Sequence, residues 1–173
     1  MAEDKYREET EDDWADDNED TQKNKYLTFH LANEDYGIEI RFVTEIIGMQ
    51  RITEVPDMPE FLKGVINLRG KVIPVMDVRS RFHMDPRDYD DRTCIVVVNI
   101  NNTSIGLVVD KVQEVVVIPE SQVEAAPEKA RGKRSRFLQG MGKINDEVKI
   151  LLNVEQLLYE EELAQLEEIA PAA

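Results

Sequence analysis

Gly64-Val65-Ile66-Asn67-Leu68-Arg69-Gly70-Lys71-Val72-Ile73-Pro74-Val75-Met76-Asp77-Val78-Arg79 reads as two apolar strands joined by a tight turn. Val65, Ile66 and Leu68 lead into the turn; Val72, Ile73, Val75 and Met76 lead out of it. Gly70 reaches positive φ without steric cost, as tight turns between antiparallel strands often require. Apolar runs this continuous suit strands covered on both faces, as inside a small barrel. Pro74 has no N–H for a ladder, which predicts an edge, bulged or strand-start position. Arg69 is the oddity, a long cation at a sharp turn between two buried strands. Local chemistry alone reads it as a solvated turn residue.

The chain has 173 residues, room for one domain or two very small ones. Its 42% hydrophobic content supports a core, and 6% aromatics make that core mostly aliphatic. A net charge of −15 argues against nucleic acid and anionic membrane surfaces, both of which select cations. Cys94 is the single cysteine, so no disulfide within the chain is expected. No apolar run approaches the ~20 residues of a membrane span, and the acidic N-terminus is unlike a secretory signal. These features predict a soluble cytoplasmic protein without membrane insertion.

Residues 1–24 stand apart. Over residues 1–25, eleven acids face four bases, a net −7. Such a segment cannot bury enough surface to offset its ordering entropy, so a disordered acidic tail is expected. From Tyr26 the chain alternates: Leu27, Phe29 and Leu31 mark a strand, and Asn33-Glu34-Asp35 turns into its partner at Tyr36–Ile40. In the stretch from Arg41 to Ile47, Val43, Ile46 and Ile47 fall three and four apart, which predicts a short helical turn with Gly48 as its stop. Val78 and Phe82 predict a short helix after Asp77.

The second half repeats this pattern loosely. Cys94–Ile100 and Ser104–Val109 form a hairpin about Asn101-Asn102, and Val112–Ile118 forms a strand stopped by Pro119. Residues 124–136 read as a loop. Phe137–Ile144 and Val148–Leu152 make a last hairpin about Asn145-Asp146. Asn153 with Gln156 opens a closing helix expected over roughly Val154–Glu168. Nine or ten short strands predict small barrels, without deciding between two of them and one larger can.

Catalytic constellations are poor. His30 and His83 lie on different elements, and Cys94 has no neighbouring cation to lower its pKa. Asp85, Asp88, Asp90 and Asp91 lack the central glycine and distal glutamate of a calcium loop and read as a solvated linker. No glycine-rich phosphate cradle precedes a helix. We expect no enzyme, no cofactor and no metal. Lys129, Arg131, Lys133, Arg134 and Arg136 form a basic run, read as a solvated loop, with docking to an acidic partner or to the acidic tail as alternatives.

The hairpin at 64–79, together with Glu34-Asp35-Tyr36-Gly37-Ile38-Glu39-Ile40, Ser104-Ile105-Gly106-Leu107-Val108-Val109-Asp110 and Ile150-Leu151-Leu152-Asn153-Val154-Glu155-Gln156-Leu157-Leu158, resembles the CheW family of bacterial chemotaxis coupling proteins. The likeness runs from about Tyr26 to Gln165. It implies two packed five-stranded SH3-like barrels over residues 25–169, with short helices, a C-terminal helix and a divide near 85–92. It further implies an adaptor linking the cytoplasmic tip of a methyl-accepting chemoreceptor to the regulatory domain of the histidine kinase CheA. The matching receptor-binding positions are Val43, Glu45, Ile46, Gly64 and Arg69, with Val115 in the second barrel; Glu45 and Arg69 are expected to pair. Kinase-facing residues are not legible. The rival readings are a fragment of the kinase's own regulatory domain and a small ligand-binding barrel.

Overall fold

The computed structural model describes residues 22–125 and 137–157. The acidic stretch 1–21, the basic run 129–136 and the helix expected beyond Leu157 lie outside the described residues. The strands are β1 (Lys25–Leu31), β2 (Glu34–Glu39), β3 (Val43–Gly48), β4 (Leu62–Leu68), β5 (Lys71–Asp77), β6 (Cys94–Ile100), β7 (Thr103–Val109), β8 (Lys111–Val117), β9 (Val123–Glu124), β10 (Leu138–Ile144) and β11 (Glu147–Leu152). One short helix, α1 (Val78–Arg81), follows β5 and is capped by the Asp77 carboxylate, which accepts from the Ser80 N–H at 3.3 Å.

Three hairpins owe their form to two-residue turns with positive φ at both central positions: Arg69-Gly70, Asn101-Asn102 and Asn145-Asp146. This mirror-image turn matches the right-handed twist of the strands it joins. The sequence expectation for these hairpins holds.

The strands form two sheets, ordered β8-β1-β2-β11-β10-β9 and β3-β6-β7-β5-β4. In each, two hairpins meet at one parallel joint, with Gly37 opposite Leu151 in the first and Gly106 opposite Val75 in the second. A Cβ on Gly106 would stand 2.7 Å from the Ile95 side chain, so strand packing there requires glycine. Pro74 is not on an edge strand. It sits one residue before the β5–β7 ladder begins at Val75, where no donor is asked of it.

The two sheets are copies of one plan. β8, β1, β2, β11 and β10 correspond in order to β3, β6, β7, β5 and β4, and β9 corresponds to the isolated bridge of Thr53 to Val65 on β4. Because β1–β2 lies in one sheet and β3–β5 in the other, the halves of the chain exchange their first hairpins. The divide expected near 85–92 is therefore corrected. That segment joins β5 to β6, two strands of the same sheet.

Three apolar clusters follow from this arrangement. Ile66, Ile73, Val75, Ile95, Val97 and Val108 fill the five-stranded sheet. Tyr26, Ile118 and Leu151 fill the six-stranded one. The largest cluster lies between them, with Leu27, Phe29 and Ile38 from one sheet against Val96, Val98, Leu107 and Val109 from the other. Strands such as β6 thus bury both faces, which explains their unbroken apolar runs. Each fully buried Leu, Ile or Phe contributes roughly 1.5–3 kcal/mol relative to exposure.

Candidate functional site

The helical turn expected at Arg41–Ile47 is absent. Ile40–Phe42 forms a single 3-10 turn and Val43–Gly48 continues as edge strand β3, paired with β6. Val43, Thr44, Ile46 and Ile47 are β-branched, and their packing suits a pleated surface better than a helix. The spacing was misleading for a definite reason. A bulge between Val43 and Glu45 inserts Thr44, so Val43 opposes Val98 and Ile46 opposes Val96. Val96 and Val98 share a face, and so therefore do Val43 and Ile46, three apart in sequence. Glu45 and Ile47 take the other face, where Ile47 packs on the interior of the five-stranded sheet.

Ile46 is 44% exposed, an uncovered large apolar side chain on the end strand of its sheet. Beside it, the Arg69 guanidinium donates to the Glu45 carboxylate, and the expected pair forms. β3 and β4 stand at opposite ends of the strand order, so this ion pair and the Thr53–Val65 bridge bring the two edges together and close the sheet into a barrel. Arg69 keeps most of its side chain in solvent while its backbone holds φ 50°, left-handed for a residue with a Cβ. The Asn67 side chain steadies the same turn, accepting from the Gly70 N–H at 2.9 Å.

Gly64 is placed differently from the others. It is buried at φ 143°, and a Cβ there would lie 2.0 Å from the Thr53 carbonyl oxygen. It offers no side chain to a partner; it lets Ile52 and Thr53 approach β4, which sets the edge that Ile46 and Arg69 occupy. Val43 is half-buried against the inter-sheet core. Val115 is 50% exposed but stands on β8 of the other sheet, opposite Leu27. In the repeated plan it is the counterpart of Ile46, just as exposed Val148 is the counterpart of exposed Val72. The structure thus places Val43, Glu45 and Ile46 on β3, with Arg69 paired to Glu45 and Gly64 on β4, and puts Val115 at the equivalent strand position of the other sheet.

The groups considered for catalysis are engaged elsewhere or isolated. His30 Nδ1 lies 2.6 Å from Asp35 and its Nε2 2.6 Å from the Gln113 amide. His83 is exposed after α1, and the Cys94 thiol donates to the Arg92 carbonyl at 3.2 Å while packing against the inter-sheet core. Asp90 is bound by the Arg92 and Thr93 N–H groups, as a turn residue would be.

Sequence reading missed a buried polar cluster at the junction of the sheets. Arg79 grips Asp110 with both arms of its fork, Nε–Oδ1 at 2.7 Å and Nη2–Oδ2 at 2.5 Å. The same carboxylate accepts from the Ala32 N–H at 3.0 Å. Burial pushes the Asp110 carboxyl up, but the Arg79 and Ala32 hydrogen bonds with the Arg79 and Arg87 charges hold it below its ordinary range. Nearby, the Tyr89 hydroxyl donates to Asp77 at 2.7 Å, and burial with that bond raises its pKa. The only sequence signal was that two of these acids, Asp77 and Asp110, end apolar strands.

The fold and site can now be set beside known proteins. The CheW-like domain family matches residues 25–162. The chain belongs to the CheW family. It is 37% identical over 151 residues to the chemotaxis protein CheW of Klebsiella aerogenes, covering 87% of this chain and 91% of that one. CheW of Treponema pallidum is 26% identical over 81% of this chain and 85% of its own. The crystal structure of the scaffolding protein TtCheW from Thermoanaerobacter tengcongensis superposes with a TM-score of 0.74 at 36% identity, over 80% of this chain and 94% of that one. The two-sheet, mainly β architecture is therefore the CheW fold. CheW proteins are scaffolds without catalytic activity, and this chain is a chemotaxis scaffold of that family.

Proposed function

We propose that this protein couples the cytoplasmic tip of a methyl-accepting chemoreceptor to the regulatory domain of the kinase CheA, in the cytoplasm at receptor arrays. The observation that carries this reading is Ile46, exposed on a rigid barrel edge and flanked by the Glu45–Arg69 pair. A helical hairpin presents apolar anchors at i, i+3 and i+4, and a small fixed apolar knob beside a charge is what such anchors seat against. Binding energy then fixes the kinase relative to the receptor, so a receptor change biases kinase activity. Modest single contacts suffice, because array assembly multiplies them through effective concentration.

The ligand-binding barrel is disfavoured by packing. The interior of the five-stranded sheet is filled by its own side chains, Ile66, Ile73, Val75, Ile95, Val97 and Val108. Calorimetric titration of a receptor cytoplasmic hairpin into the parent and Ile46→Asp proteins tests the assignment. The substitution is expected to weaken binding by ~2 kcal/mol or more while circular dichroism stays unchanged, a hot-spot-sized loss. Unchanged affinity, or unfolding of the variant, would remove Ile46 from the binding surface.

A further inference from the structure

The chain passes between sheets at two places. From β2 to β3 it crosses through the Ile40–Phe42 turn, where Arg41 pairs with Glu39 in solvent. From β7 to β8 it crosses through a single residue, Asp110. At that crossing everything converges. The Asp110 N–H donates to the His30 carbonyl of β1 at 3.2 Å, and its carboxylate accepts from Ala32 in the β1–β2 turn. Those partners belong to the six-stranded sheet. Arg79, held by α1 at the end of β5, belongs to the five-stranded one, and it also binds the Asp85 carbonyl at 2.8 Å. Arg87 approaches the same carboxylate at 3.5 Å.

A buried ion pair is a costly way to stabilise a fold, since apolar side chains of similar volume often do as well or better. What it adds is direction. A bidentate guanidinium–carboxylate pair fixes a plane and an angle, which the Leu, Val and Ile contacts between the sheets do not. We propose that Asp110 is a positioning residue, a pin that sets the angle between the two barrels, through Arg79 on one side and the β1–β2 turn on the other. Its consequence for coupling rests on the function proposed above, because an adaptor transmits geometry only if its two barrels hold a fixed relation. The pin itself is read without any partner.

The test places spin labels at Val72→Cys on β5 and Val148→Cys on β11, both exposed, in a Cys94→Ser background. The inter-label distance distribution is then measured by pulsed electron resonance. The parent is expected to give one narrow distance. Asp110→Asn should at least double its width, and Arg79→Lys, which keeps the charge and loses the fork, should broaden it as well. Asp35→Asn, which weakens the Lys149 pair inside one sheet, should leave it narrow. If Asp110→Asn fails to fold, Arg79→Lys alone decides. A narrow distribution in the pin variants, or equal broadening by Asp35→Asn, would overturn the proposal.

Discussion

Arg69 works against its own backbone. A side chain with a Cβ at left-handed φ costs roughly 1–2 kcal/mol, and Asn-Gly is the pair such a turn prefers. Two other two-residue turns, Asn101-Asn102 and Asn145-Asp146, place Asn at the first of these positions. Arg69→Asn is therefore expected to raise stability by about 1 kcal/mol, offset by loss of a surface ion pair worth less than that. The same variant should bind the receptor hairpin more weakly. A melting temperature at or above the parent's, together with reduced affinity, would show strain kept for function. A destabilised variant would show that the Glu45 pair is structural. Gly64 carries the opposite demand, since any Cβ there meets the Thr53 carbonyl. Gly64→Ala is expected to destabilise by about 2 kcal/mol or more in urea unfolding, through strain and a displaced edge. Equal midpoints would mean that the 52–53 segment yields freely.

At the scale of elements, hairpins were legible and their partners were not. Turn residues and alternation are local, so Asn101-Asn102, Asn145-Asp146 and Arg69-Gly70 announced themselves. β3 was misread because one inserted residue, Thr44, gave a strand the three-residue spacing of a helix. Only its β-branched composition pointed the other way. The parallel joints at Gly37–Leu151 and Gly106–Val75 bring together residues far apart in sequence, and glycine in a strand signals close approach without naming the neighbour. Within the candidate site, the Glu45–Arg69 pairing came from resemblance, and the structure supplies its reason: it fastens the last edge of a barrel to the first. Deleting Thr44 should leave Val43 opposite Val98 in an unbroken ladder and remove the bulge's local bend from the edge that carries Glu45 and Ile46. That predicts weakened receptor binding with retained β circular dichroism, and intact binding would show the bulge to be incidental.

For the whole molecule, exchange of the first hairpins makes the barrels inseparable, because each half of the chain completes the other's sheet. A sequence pattern shows that halves repeat; it does not show which sheet each strand enters. The interface left between the barrels is mostly apolar; among the described residues its polar contacts include Arg79 on Asp110 and Arg81, whose Nε donates to the Leu157 carbonyl at 2.7 Å. The Asp110 carboxyl titrates below its unfolded value, so its contribution is present at neutral pH and is lost as pH falls through the acidic range. Urea unfolding of the parent should weaken on acidification below about pH 4, and Asp110→Asn should be less stable at pH 7 with a flatter acid limb. Matching slopes in the two proteins would mean that other carboxylates govern that limb.

The central claim is that one rigid chain bridges two partners. Its most direct measurement is capture of the CheA regulatory domain on an immobilised receptor cytoplasmic hairpin at physiological salt, with and without this protein. The account predicts capture only when the protein is added, and loss of capture with Ile46→Asp while kinase-domain binding in solution persists. No capture in the presence of the protein, or capture independent of it, would contradict the bridge and leave the family fold without this role.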